Sequence, residues 1–215
     1  MTMMVCMTMY ISCNTSGGVS ETSYHAYVDL GLPSGLLWAT CNVGANRPDD
    51  YGNYYAWGET KNNKIRYKWS RGKSKLTKYN TNPDYGIVDN KEVLDSEDDV
   101  AHVNWGGKWR MPTEAELQEL IDNCTWRWWI MQNGVKGVRV TGSNGNSIFL
   151  PAAGFHNVGG DIGIGSGGDY WSSSLNTDNP NTACKLRFGS GYVDMINIFG
   201  ERTFGLSVRP VCSPQ

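Results

Sequence analysis

No run of about 20 apolar residues occurs anywhere in the 215 residues, so no helical membrane span is expected. Positive charge is scarce: 19 Lys and Arg stand against 21 Asp and Glu, for a net charge of −2. That balance draws the chain neither to nucleic acid nor to an anionic bilayer, and no basic stripe with interleaved aromatics marks a nucleic-acid binder. The six cysteines (Cys6, Cys13, Cys41, Cys124, Cys184 and Cys212) include no Cys-x-x-Cys pair and have no histidine at metal spacing, which argues against a zinc site. Their even number allows a disulfide framework that a chain of this size does not need. His25, His102 and His156 lie far apart and read as surface or boundary residues. No internal repeat is visible. The glycine-rich run Gly159–Gly168 has no strand-to-helix context and no Lys-Ser/Thr, which excludes a phosphate cradle.

Glycine and large aromatics are plentiful, with 26 Gly, 9 Trp and 11 Tyr against only 5 Phe. This composition points to one turn-rich domain with little regular helix, of an extracytoplasmic binding type. Residues 1–25 stand apart from it. Met3 to Ile11 is an apolar run followed by Ser12-Cys13 and small polar residues, like the end of a bacterial lipoprotein signal with Cys13 as the lipid-carrying residue. No Lys or Arg precedes that run, and a merely disordered N-terminus is the other reading.

From about residue 26 the chain reads as a single domain. Ala26–Asp29 and Leu36–Asn42 flank a Pro-Ser-Gly turn as a hairpin, and a short strand is expected over Tyr54–Trp57. The Lys- and Arg-rich stretch from Lys61 to Lys78 reads as a solvated insert loop rather than a polyanion site. A first helix is expected over Glu97–Asn104, capped by Ser96; "DSEDD" lacks the alternating ligands and central Gly of a calcium loop. In "KWRMPTEAELQEL", Thr113 and Glu116 form a capping box, and Leu117, Leu120 and Ile121 line one face of a helix ending near Asn123. Strands follow at Trp126–Met131, Val135–Thr141 and Ser147–Pro151, then at "DYWSSS". A hairpin about Gly189-Ser190-Gly191 and a terminal strand in "GLSVRPVC" complete the series.

Six segments occur in order: "VDLGLPSGLLWATCNVGA", "YGNYYAWGET", "DDVAHVNWGGKWRMPTEAEL", "GNSIFLPAAG", "YWSSS" and "GLSVRPV". Together they resemble the Fibrobacter succinogenes major paralogous domain, a family common in gut Bacteroidetes, over about Tyr27 to Cys212. The resemblance implies an α+β, C-type-lectin-like fold related to the formylglycine-generating enzymes. It implies two helices in the first half, short antiparallel strands and long loops, and adjacent N- and C-terminal strands. Ala39–Cys41 and Val208–Cys212 would then be neighbours, and a Cys41–Cys212 disulfide would be allowed. Cys124 reads as a buried apolar thiol.

Enzymes of that fold bind copper through closely spaced C-terminal cysteines, whereas Cys184 and Cys212 are far apart here, so no catalysis is expected. Calcium-dependent sugar lectins use an acid beside a Pro-Asn or Pro-Asp; Asn179-Pro180-Asn181 lacks it, and Trp171-Ser172-Ser173 stands where another acid is wanted. No cofactor is expected, and calcium is not indicated. A non-catalytic, exported adhesion domain binding a protein or glycan remains, expected as a monomer at the cell surface or in the periplasm.

Its candidate surface lies in the C-terminal segment. Lys185 and Arg187 alternate with Leu186 and Phe188, so that if the latter face the core the former face out. Tyr192, Asp194, Ile196 and Ile198 share a face past the turn, and Phe199 follows. Asn176, Asp178, Asn179 and Asn181 occupy the preceding loop, beside Trp171. The same residues also fit an ordinary half-exposed hairpin with turn-forming asparagines. The layout further resembles the variable proteins of diversity-generating retroelements, whose C-terminal segment is diversified between a "YWSSS"-type strand and "GFSVRPV".

Overall fold

In the computed structural model, residues 25–61, 76–197 and 201–214 are described. Cys13, Ile198, Phe199 and most of the basic stretch 61–78 lie outside them. The turn at Pro33-Ser34-Gly35 folds β1 (Tyr27–Asp29) antiparallel onto β2 (Leu37–Ala39). The last described strand, β11 (Val211–Cys212), adds to the other edge of β2, with Val211 opposite Trp38 and Cys212 opposite Leu37. Strands from the two ends of the domain are thus neighbours. This register removes the disulfide that the resemblance allowed: Cys41 lies four positions beyond Leu37, which at ~3.3 Å per residue is ~13 Å of chain. Both residues are thiols, and a bridge needs Cα atoms within about 7 Å. The terminal strand is also shorter than expected, because Pro210 has no N–H to give the ladder.

The segment before β11 is held by side chains and single bridges instead. The Arg209 guanidinium is buried and donates to Asn42 Oδ1 at 2.8 Å, to the carbonyls of Ala39 and Thr40 at 3.1 and 3.0 Å, and to the Phe149 carbonyl at 3.0 Å. Tyr55 and Leu206 form one bridge, which is all that the strand expected at Tyr54–Trp57 amounts to.

Helix α1 (Val100–Trp105) starts later than the sequence suggests, and its cap is Asp99 rather than Ser96. One Asp99 oxygen accepts from the Ala101 and His102 N–H groups at 2.9 and 3.1 Å, and the other from Met111 N–H at 2.8 Å. A carboxylate does both jobs at once, which a serine hydroxyl cannot. Helix α2 (Glu114–Asn123) begins at the predicted capping box, with Glu116 N–H on Thr113 Oγ1 at 3.3 Å and Thr113 N–H on Glu116 Oε2 at 2.8 Å.

Arg110 grips the same carboxylate with both terminal nitrogens, at 2.7 and 2.6 Å. Burial pushes Glu116 up, but Arg110 and the Thr113 hydrogen bonds outweigh it and hold the carboxyl below its ordinary value. A depressed carboxyl contributes stability above its unfolded pKa and loses it as pH falls through the folded one. Glu116→Ala should therefore cost about 1–3 kcal/mol near neutral pH, shrinking in acid, as urea denaturation at pH 7 and pH 3 would show.

The rest is β. Sheet β3 (Thr125–Gln132), β4 (Val135–Thr141), β5 (Ser147–Pro151) is an antiparallel meander. The glycine-rich run contributes β7 (Gly160–Ile162), paired with β6 (Phe155–Asn157). A third sheet has the order β10 (Tyr192–Ile196), β9 (Ala183–Gly189), β8 (Gly168–Leu175). The described fold is α+β, with two helices and short antiparallel strands in small sheets. Its helix α2 packs Leu117 and Leu120 with Trp38, Val138, Leu150 and Phe188, and a second core gathers Trp57, Tyr79, Met111, Trp171 and Leu206. No described helix is long and apolar enough to cross a membrane.

Candidate ligand-binding surface

The pleat of the β8–β9–β10 sheet sorts its residues into two faces. Tyr170, Leu186 and Met195 align across it, as do Gly168, Phe188 and Val193, and this face enters the core beside α2. The opposite face carries the rows Trp171–Lys185–Ile196 and Asp169–Arg187–Asp194, with Tyr192 opposite Gly189. That alternation is the one expected from the sequence. Its exposure is not.

The half of this face over β8 is covered. Trp171 is buried, and its indole N–H donates to the Tyr55 carbonyl at 2.8 Å. Lys185 is 2% exposed instead of facing solvent, and its ammonium pairs with Asp169 Oδ1 at 2.7 Å. Phe155, stacked on Phe204, lies 5.7 Å from that ammonium and roofs it. Burial pulls the Lys185 pKa down while Asp169 opposes the shift. Arg187 approaches the same oxygen at 3.6 Å but keeps about a third of its side chain exposed.

The loop before β9 is also largely self-engaged. Asn176 is buried, donating to Thr182 Oγ1 and the Asn197 carbonyl at 2.9 and 3.0 Å and accepting from Asp178 N–H at 3.1 Å. Asn179 Oδ1 accepts from Asn181 N–H at 3.3 Å, and the Asn181 carbonyl accepts from Arg202 N–H at 3.1 Å. Asn176 and Asn179 therefore build turns. Asp178 is exposed and Asn181 half-buried.

What stays open is the β10 side: Tyr192 is 48% exposed, Asp194 is exposed, and Ile196 is half-buried. Beside the β9–β10 turn sits a residue that the sequence reading missed. The β3–β4 register breaks between Arg127 and Ile130, and within that bulge Trp129 has φ 52°, a left-handed conformation rare for so bulky a residue. Its indole N–H donates to Ser190 Oγ at 3.1 Å, and the Lys136 ammonium stands 5.9 Å over its ring. Its side chain remains 38% exposed. The available signal was the run "WRWW", which no single alternation can bury.

Residues 31–212 match the family model described as the Lcl C-terminal domain. The chain belongs to this family. No curated protein and no solved structure matches it. The Lcl C-terminal domain match takes in both helices, the bulge at Trp129 and the whole β8–β9–β10 sheet.

One acidic cluster and one buried thiol also bear on chemistry in this Lcl C-terminal domain. Asp95, Glu97 and Asp98 are the three described acids close enough together to share a cation. Lysines already neutralise them: Lys78 reaches Glu97 and Asp98 at 2.9 Å each, and Lys91 pairs with Asp95. The Cys184 thiol is buried, and burial, with Glu114 adding to it, pushes its pKa up to about 12.

Proposed function

We propose that this chain is a non-catalytic recognition domain of an exported bacterial surface protein, which binds a glycan through the surface formed by Trp129, Ser190, Tyr192, Arg187 and Asp194. The observation that carries the reading is the exposed Trp129, held in a left-handed bulge with its N–H fixed on Ser190. Unfavourable backbone conformations persist where surrounding structure holds them, and they cluster at ligand sites. Flat, half-exposed rings rimmed by hydroxyl and charged groups suit sugars, which offer apolar C–H faces and hydroxyls together. Membership of the Lcl C-terminal domain family favours a surface- or adhesion-type role, and the C-type-lectin-like resemblance of the sequence agrees with it. Lipid anchoring through Cys13 belongs to the same reading.

The absence of catalysis is part of the proposal. A thiol with its pKa near 12 is a poor nucleophile and a poor copper ligand, which weighs against an oxidase. The lysines that neutralise Asp95, Glu97 and Asp98 weigh against a calcium site there, which supports calcium-independent binding. A diversified receptor is the weaker reading, because Trp171, Asn176 and Lys185 are buried and leave little of the segment free to vary.

A glycan array read with and without EDTA tests the proposal. Binding to a defined subset of glycans, unchanged by chelation, is expected. A blank array, with the domain instead capturing a defined protein ligand, would overturn the glycan assignment, and loss of binding in EDTA would overturn calcium independence.

A further inference from the structure

A cleft opens on the β3–β4–β5 sheet, apart from the residues just described. Its volume is about 290 Å³, and Thr40, Pro48, Gln132, Arg139, Asn146 and Phe149 are among its lining residues. That volume sits at the lower edge of the roughly 300–1,000 Å³ typical of small-molecule sites. The register puts Arg139 directly opposite both Arg127 and Phe149, so all three side chains share one face. Gly137 gives the ring its place: a Cβ at 137 would lie 2.4 Å from Phe149 Cζ. The buried Phe149, with Pro48, supplies an apolar wall, while Thr40, Gln132 and Asn146 supply polar groups.

The charges here are unbalanced. Arg127 and Arg139 are exposed cross-strand neighbours, and among the described residues neither makes an ion pair. Like charges facing each other across a ladder are destabilising. No Asp or Glu lines the cleft. Asp49, next to the lining residue Pro48, is already held by Arg47 at 2.6 Å and by Asn133 at 3.2 Å. A guanidinium at the mouth of an apolar-walled cleft, without a carboxylate of its own, suits a bidentate anion borne on a small apolar body.

We propose that this cleft binds a small organic carboxylate, its carboxyl group on Arg139 and its apolar body against Phe149 and Pro48. The assignment does not rest on the glycan reading, which uses other residues. Benzoate is the probe and benzamide, equal in shape but uncharged, its control, in titrations followed by amide and arginine Nε chemical shifts. Benzoate is expected to move Gln132, Arg139 and Phe149 in a saturable way, with benzamide at least tenfold weaker. Arg139→Gln, an exposed substitution that leaves the fold intact, should weaken benzoate at least tenfold, and Arg127→Gln by less. No saturable shift, equal binding of benzamide, or unaltered binding to R139Q would overturn the proposal. Inorganic phosphate binding as tightly as benzoate would also overturn it, since the apolar wall would then contribute nothing.

Discussion

Lys185→Ala is expected to lose about 3–5 kcal/mol of unfolding free energy, the usual cost of stranding one charge of a buried ion pair. Asp169 and Lys185 are 3% and 2% exposed, and with the ammonium gone the Asp169 carboxylate keeps, among the described residues, only Arg187, at 3.6 Å. The double replacement Asp169→Asn with Lys185→Met should recover most of the loss, because removing both charges removes the desolvation cost together with the attraction. Urea denaturation of the two variants reads the difference directly. A single-variant loss under about 1 kcal/mol, the range of exposed pairs, would show that the pair is solvated. Given the expected loss of stability, any ligand affinity lost by Lys185→Ala traces to the fold rather than to a missing contact.

Trp129→Ala and Tyr192→Ala should each weaken ligand binding by about 2 kcal/mol, or roughly 30-fold, as truncation of aromatic anchors commonly does. Their stability should change little, since both rings are substantially exposed. Trp129→Gly separates the two roles. Glycine accepts φ 52° without the steric penalty of about 1–2 kcal/mol that other residues meet there. This variant should be as stable as the parent, or more so, while binding falls as in Trp129→Ala. Melting temperatures and glycan titrations on the same samples would check both halves. Binding retained by both tryptophan variants would remove Trp129 from the site.

Local signals carried much of the fold. The turn formers Asn133-Gly134 and Asn144-Gly145 lie on either side of β4, and Thr113 with Glu116 opens α2 by hydrogen bonds between residues three apart. Less legible was whatever depended on a distant partner. Alternation along β9 tells which side Lys185 takes, but the roof over it comes from Phe155 and Phe204, set by other elements. Trp129 escaped for a related reason, because a bulge breaks the very period that assigns faces. Asp99 caps α1 in place of the expected Ser96. The choice turned on Met111, twelve residues downstream of Asp99, which no rule about local spacing includes.

The pairing of β2 with β11 has a consequence for how the domain is made. Trp38 meets Val211, and Arg209 ties the backbone at Ala39, Thr40 and Phe149 together, so the early strands depend on residues about 170 positions further along the chain. Contacts of such long sequence separation fold slowly, since the whole loop must close before they stabilise anything. The growing chain therefore cannot complete its first sheet until the segment carrying Arg209 and Val211 has emerged, and the domain closes only then. A product truncated before Arg209 would accumulate as an open, protease-sensitive chain rather than as a smaller folded unit.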